Sequence, residues 1–387
     1  MDFRLTDDQR MLQDSARKFL NSEYGFDSRR KLVEQDGGFG QANWDAFAEM
    51  GWLAMGIPET YGGLGATMAE TILLMEEYGR ALVVEPYVGS AVLATQAIVA
   101  AGNDSQKRAL LPRLAEGREI IALAYSEREA RGALEHVACK ADRSGSKYIL
   151  NGYKTAVLGA PFATQFIVAA RTAKVRSGPG GITLFLVDPK ASGLRVHATP
   201  LVDGSHAGDL VLDDVEVDGD AVLGRPGEAL PALQAGVDQA IIALCAESIG
   251  AMEKSIEITA AYVKNRKQFG VPIGSFQAVQ HRLADMSIEL EMARSMLYRG
   301  LASLEIKDTT GRQAGISASK AMIAKAAQFV CGQGIQLHGG IGMAEECNIG
   351  HFFKRMVTVG MLFGNADYHL NRYTDILQSR LAEDHGK

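Results

Sequence analysis

The sequence lacks three things, and each absence removes a class of function. It has no basic excess: 40 lysines and arginines stand against 46 aspartates and glutamates, a formal net charge of -6. Without a positive field to neutralise a polyphosphate backbone, nucleic acid is not an expected partner. It is poor in cysteine. Cys139, Cys245, Cys331 and Cys347 are far apart, with neither a Cys-x-x-Cys ligand pair nor the density of a disulfide scaffold, and they fit a reducing cytoplasm. Long apolar runs are also missing. The uncharged stretch from Pro86 to Asn103 includes Ser90, Thr95 and Gln96 and falls short of the ~20 apolar residues that span a bilayer. The opening residues, Met1-Asp2-Phe3-Arg4-Leu5-Thr6-Asp7-Asp8, carry acids where a secretion signal needs an apolar core. The expectation is a cytoplasmic protein with no membrane segment.

What is present is enough for a large core. At 387 residues, 47% of them hydrophobic, the chain has room for two or three domains at about 100–200 residues each. From Leu5 to about Gly117 the apolar period is helical, with Met11, Ala16, Phe19 and Leu20 on one stripe and Trp44, Phe47, Met50 and Leu53 on another. Breaks fall at Asp36-Gly37-Gly38, at Tyr61-Gly62-Gly63-Leu64-Gly65 and at Gly102-Asn103-Asp104-Ser105, where glycine and short polar side chains favour turns. Beyond Gly117 short β-branched and aromatic runs take over: Glu119 to Tyr125, Lys147 to Leu150, Gln165 to Ala170, Ile182 to Val187 and Leu210 to Val217. The Ser177-Gly178-Pro179-Gly180-Gly181 cluster is followed by no Gly-Lys-Ser/Thr and reads as a turn rather than a phosphate cradle.

After about Gly224 the helical period returns. One helix is expected from Leu230 to Lys264, and a second from Ser275, a plausible N-cap, with Val279, Leu283, Met286, Leu290, Ala293 and Leu297 on its buried stripe. Others are expected over Ala314 to Gln333, Ala344 to about Val359 and Ala366 to Leu381. The whole reads as an α+β protein: a helical domain over 1–118, a β-domain over 119–225 and a helical bundle over 226–387. The eight histidines show no His-Glu-x-x-His spacing, and no metal site is expected.

Two segments carry the chemistry: Arg266-Lys267-Gln268-Phe269-Gly270-Val271-Pro272-Ile273-Gly274-Ser275-Phe276-Gln277 and Gln336-Leu337-His338-Gly339-Gly340-Ile341-Gly342. A planar guanidinium at Arg266 suits a phosphate, Phe269 offers an apolar wall, and paired glycines let a ligand approach the backbone. Taken singly, each has a bland reading: a helix end with a core aromatic, and a helix C-cap followed by a turn. Together, with Leu283-Ala284-Asp285-Met286 following, they resemble the flavin-contacting signature of the acyl-CoA dehydrogenase family.

The resemblance covers essentially the whole chain. Its nearest likeness, through Glu247-Ser248-Ile249-Gly250 and Leu362-Phe363-Gly364-Asn365-Ala366-Asp367-Tyr368-His369-Leu370, is to small subunits of pimeloyl-CoA dehydrogenase. Related chains occur in the two-component acyl-CoA dehydrogenases of steroid side-chain breakdown. It implies an N-terminal helical domain, a middle β-barrel-like domain and a C-terminal four-helix bundle. It also implies FAD, an acyl-CoA substrate, an electron-transfer flavoprotein as electron acceptor, and an oligomer in which Arg266, Gln268, Phe269, Ile273, Gln277, Gln336, Leu337, Gly339 and Gly340 meet the FAD of a neighbouring subunit. In that family a glutamate removes the proton alpha to the thioester while the beta hydride passes to the flavin, giving a trans-2-enoyl-CoA.

The sequence departs from the family where the reaction is carried out. Aligned through Phe353-Lys354-Arg355, the usual Tyr-Glu-Gly-Thr falls on Phe363-Gly364-Asn365-Ala366, so the base position is Gly364; the alternative base position on the preceding long helix falls on Ala240. Neither residue can take a proton. Glu247 lies seven residues beyond Ala240, on the same helix face about 10 Å away, and reads either as a relocated base or as a structural helix residue. The Thr-Glu-Pro-x-Ala-Gly-Ser-Asp segment is here Ser126-Glu127-Arg128-Glu129-Ala130-Arg131-Gly132-Ala133, and the flavin-packing tryptophan and threonine are Ala156 and Leu158. Ser126 and Asp238 remain at substrate-contacting positions, although the arginine expected three residues after Asp238 is Ile241. The leading expectation is a subunit without its own base that serves the FAD of a partner acyl-CoA dehydrogenase subunit. Two alternatives stay open: a self-sufficient homotetramer using Glu247, and a scaffold that binds CoA or a partner without redox chemistry.

Overall fold

A computed structural model of the protein describes residues 4–35, 37–173 and 178–385. Six helices come first, α1 (Asp7–Glu23), α2 (Phe26–Gln35), α3 (Gln41–Glu49), α4 (Met68–Ala81), α5 (Thr95–Ala101) and α6 (Asp104–Ala115). Side chains start two of them: Thr6 and Asn103 each form a reciprocal capping box, with Gln9 and Gln106. Ala16 and Leu20 are buried as the stripe requires, but Met11 on the same stripe is exposed.

Eight strands follow: β1 (Ile121–Ala124), β2 (Lys140–Ser144), β3 (Lys147–Leu158), β4 (Gln165–Arg171), β5 (Ile182–Val187), β6 (Leu194–Pro200), β7 (His206–Asp218) and β8 (Val222–Leu223). They form one sheet in the order β6-β7-β3-β2-β4-β5-β8, with β1 parallel to β4. Its centre is apolar: Phe166, Ile167, Val168, Ala169, Leu184 and Phe185 exclude solvent entirely. Neither β2 nor β6 is legible from the residues alone, because most of their side chains face solvent and offer no apolar alternation to read. Ser177 of the expected turn lies outside the described residues; Gly178 and Gly181, at φ +111° and +81°, do turn the chain.

The long helices are α7 (Leu230–Asn265), α8 (Gln277–Leu304), α9 (Thr309–His338), α10 (Asn348–Met361) and α11 (Ala366–His385), with a two-stranded hairpin, β9 (Lys267–Gln268) and β10 (Val271–Pro272), between α7 and α8. Ser275 does not cap α8. Its hydroxyl donates to the Pro272 carbonyl at 2.7 Å, and the cap position belongs to Phe276. Among the described residues α7 alone is long and apolar enough to cross a bilayer, yet 89% of its apolar window is buried within the protein, as for a core helix.

The chain divides into two compact units. One holds the chain up to Arg30, Ala69–Val83 and the segment from Ile241; the other holds Lys31–Met68 and Val84–Ala240. In the first, α8, α10 and α11 all pack on α9, which small residues permit: a Cβ on Gly315 would stand 2.0 Å from the Ser303 hydroxyl of α8. Helices α4 and α7 cross in backbone contact. A Cβ on Gly79 would lie 1.9 Å from the Glu247 carbonyl, and one on Gly250 1.8 Å from the Glu76 carbonyl. This crossing fixes the turn of α7 that carries Glu247. In the second unit, a buried ion pair ties β3 to the segment after β1. Lys154 Nζ meets Glu127 Oε1 at 2.6 Å, and the same carboxylate accepts from the Ala138 and Cys139 amides.

Candidate functional site

Helix α7 ends where Arg266 begins the hairpin. The Arg266 amide closes the last turn of α7 on the Tyr262 carbonyl, and the Ile273 amide returns to the Arg266 carbonyl, both at 2.8 Å. Between them Phe269 and Gly270 take φ of +56° and +83°, the two left-handed residues of a type I′ turn. A phenylalanine in that turn pays a steric cost that glycine would not. It is also 93% exposed, so it is not a core aromatic, and among the described residues its ring meets that of Phe276, edge-on at 6.1 Å. Arg266, Gln268 and Gln277 are exposed too, and Ile273 is half-buried.

The second motif stands at the end of α9. The Tyr262 ring stacks on the His338 ring at 4.2 Å, and its hydroxyl donates to the His338 carbonyl at 3.3 Å. This pair joins the hairpin base to the helix end. Burial pushes the His338 imidazole below its ordinary range; in the neutral ring Nδ1–H donates to the Gly334 carbonyl at 2.7 Å. Gln336 is exposed and Leu337 half-buried. Beyond them, a Cβ on either Gly339 or Gly340 would meet nothing within 4 Å, so the backbone there is open to a close-lying ligand. A guanidinium, three amides, an exposed aromatic and bare backbone suit the pyrophosphate and adenine end of FAD.

The three candidate base positions differ sharply. Gly364 lies between α10 and α11 at φ +101°, and Ala240 is fully buried on α7. Glu247 is 1% exposed and held by Arg355 in a two-pronged pair, Nε to Oε1 at 2.5 Å and Nη2 to Oε2 at 2.9 Å. Both oxygens are committed to a fixed cation, the arrangement of a structural brace between α7 and α10.

In the β-sheet unit, Ala156 occupies a bulge of β3 at φ +51°, exposed, its amide donating to Asp209 at 3.0 Å. Leu158 ends the same strand. Ser126 is half-buried and its carbonyl accepts from the Thr155 amide at 2.9 Å. Asp238 is buried, Oδ1 accepting from Gln234 at 2.6 Å. Among the described residues no group of His, Cys, Asp and Glu side chains is placed to hold a metal ion.

Three buried groups that no motif announced brace the Gly364 segment. Lys320 Nζ donates to the Val359 carbonyl, in the last turn of α10, at 2.5 Å. There its charge complements the helix C-terminus, while burial pushes its pKa down to about 8. Fully buried His369 spans the Phe363 carbonyl (Nε2, 3.0 Å) and the Ser317 hydroxyl (Nδ1, 3.1 Å). The carbonyl can only accept, so Nε2 carries the hydrogen and Nδ1 accepts from Ser317. Burial, reinforced by the charge on Lys320, holds this imidazole down at about 3. Between that value and the ~6.5 of a free histidine, the unfolded chain takes a proton that the folded protein refuses. Stability is therefore lost as pH falls below ~6.5, by up to about 1.4 kcal/mol per pH unit. Glu76, pushed up to about 7 by burial, works in the opposite sense and loses stability as pH rises towards 7. Comparing the native protein with His369→Gln isolates the histidine: urea unfolding at pH 7 and pH 5 should show a shallower acid slope in the variant, and parallel slopes would contradict the assignment.

Comparison with known proteins agrees with the order of elements. The chain matches "Acyl-CoA dehydrogenase, N-terminal domain" over residues 6–118, the middle domain over 122–215 and the C-terminal domain over 230–377. It is 34% identical over 322 residues to the mitochondrial isovaleryl-CoA dehydrogenase of Solanum tuberosum, covering 80% of this chain and 76% of that one. Among solved structures it is similar to a variant of the Tcur3481-Tcur3483 steroid ACAD, with a TM-score of 0.86 and 30% identity over 97% of this chain and 99% of the other. It is also similar to a chain of the ChsE4-ChsE5 complex from Mycobacterium tuberculosis, with a TM-score of 0.87 and 25% identity over 98% and 99% of the two chains.

Proposed function

Because this chain belongs to the acyl-CoA dehydrogenase family, whose members are FAD-dependent oxidoreductases, we propose that it is the subunit of a hetero-oligomeric acyl-CoA dehydrogenase that carries no base. The observation behind this reading is a contrast between the candidate base positions and the two motif segments. Gly364 and Ala240 offer no carboxylate, and Glu247 is clasped by Arg355, whereas the Arg266–Phe269 hairpin and the Gly339-Gly340 backbone are fully displayed.

FAD, when bound, would supply the hydride acceptor for the beta carbon of the acyl group. This chain's part is to hold it: Arg266 neutralises pyrophosphate charge, Phe269 covers an apolar face, and Gly339 and Gly340 admit the dinucleotide to main-chain distance. The alpha proton would go to a carboxylate of the partner subunit, and an electron-transfer flavoprotein would be the electron acceptor. Likeness to a steroid ACAD supports a bulky acyl-CoA, of the steroid side-chain class, as substrate. The assembled enzyme should then contain fewer flavins than chains. Flavin absorbance against total protein, on the purified complex, tests this, and one flavin for every chain would refute it.

A further inference from the structure

The connection from α10 to α11 is shaped around a residue without a side chain. At Gly364, φ is +101°, a conformation that L-residues avoid. A Cβ built there would stand 2.5 Å and 3.0 Å from Cδ1 and Cε1 of Tyr368, and 3.1 Å from Nε2 of His369. Real Cβ atoms do not approach ring carbons to 2.5 Å, so one of the two must move. The neighbouring Phe363 is itself left-handed at φ +59°.

Several contacts fix that backbone. His369 holds the Phe363 carbonyl from one side and Ser317 from the other. Asn365 Oδ1 accepts from the Tyr368 amide at 2.9 Å, capping α11 and setting the direction in which Tyr368 leaves the helix. Lys320 secures the Val359 carbonyl just upstream. The Tyr368 and His369 rings meet edge to face at 5.1 Å and 84°, which leaves Tyr368 little freedom to swing aside.

We propose that Tyr368 is a plug: its ring occupies the space into which a side chain at position 364 would project, so that the base position of this chain is built shut rather than left vacant. This rests on the reading of Gly364 as the family's base position given above. Two features close the position, the left-handed backbone and the ring. A carboxylate restored by Gly364→Glu alone meets both obstacles and cannot settle into place.

A double-mutant cycle on the protein co-expressed with its partner tests the plug. Gly364→Ala should lower the melting temperature by roughly 2–4 °C or more. In a Tyr368→Ala background the same substitution should cost clearly less, the remainder being the left-handed backbone. If Gly364→Ala alone does not fold, the proposal requires Tyr368→Ala to restore soluble protein. An equal loss in both backgrounds, or no rescue, overturns it. Flavin loading and turnover by the unsubstituted lone chain would instead refute the subunit assignment and leave the cycle's outcome untouched, so the two failures are read separately.

Discussion

Phe269→Ala should weaken flavin binding by the assembled enzyme by about ten- to a hundredfold, and leave the melting temperature of the lone chain unchanged. The two halves of that result come from one fact, the 93% exposure of the ring. A side chain in water contributes almost nothing to folding, whereas burying a phenylalanine against a ligand is worth about 1.5–3 kcal/mol, and 1.4 kcal/mol is tenfold in affinity. Phe269→Gly sharpens the contrast. At φ +56° a glycine relieves about 1–2 kcal/mol of left-handed strain, so the lone chain should become more stable while the complex loses flavin. Arg266→Ala should lower flavin affinity on a similar scale, since a charge-assisted hydrogen bond is worth about 1.5–3 kcal/mol. A core aromatic behaves oppositely: Phe47, fully buried, should cost about 3–5 kcal/mol of stability on truncation to alanine. Fluorescence titration of flavin beside thermal melts separates the cases, and a Phe269→Ala protein that melts early but binds flavin normally would contradict the account.

Arg355→Ala should destabilise the protein as much as truncating a core aromatic does. It strands the Glu247 carboxylate, 1% exposed, without its cation, and an unpaired buried charge costs about 3–5 kcal/mol. That is a large part of the ~5–15 kcal/mol that holds an ordinary domain folded, and corresponds to a melting temperature lower by roughly 10 °C. Glu247→Gln should also destabilise, because the amide cannot match two charged donors at 2.5 Å and 2.9 Å. Replacing both partners by apolar residues of similar volume should recover much of the loss, since burying an ion pair is close to neutral overall. The relocated-base alternative expects something else: Glu247→Gln folding and melting as before but losing all turnover. Melts and rates on the same preparations decide between them.

The two segments proposed to hold FAD stand out in the sequence because they are contiguous and chemically distinctive. Arg266 to Gln277 fixes its own hairpin, and Gln336 to Gly340 sits where a helix must end at a glycine. What could not be read depends on pairs distant in sequence. Glu247 and Arg355 are 108 residues apart, Lys320 and Val359 are 39 apart, and His369 finds Ser317 across 52. None of these spacings has a local signature. Tyr368 follows Gly364 closely enough to be seen, but its role lies in a ring direction that only the capped start of α11 sets. Polar strands such as β2 were invisible for a related reason: backbone pairing to β3 holds Lys140–Ser144 in the sheet, and backbone pairing leaves no trace in side-chain pattern.

The most direct measurement is flavin content, by absorbance at ~450 nm, with acyl-CoA oxidation assayed alongside, on the chain purified alone and again after co-expression with the acyl-CoA dehydrogenase subunit proposed as its partner. The account predicts a colourless, inactive lone chain and a yellow, active complex. Full flavin loading and turnover by the chain alone would contradict it.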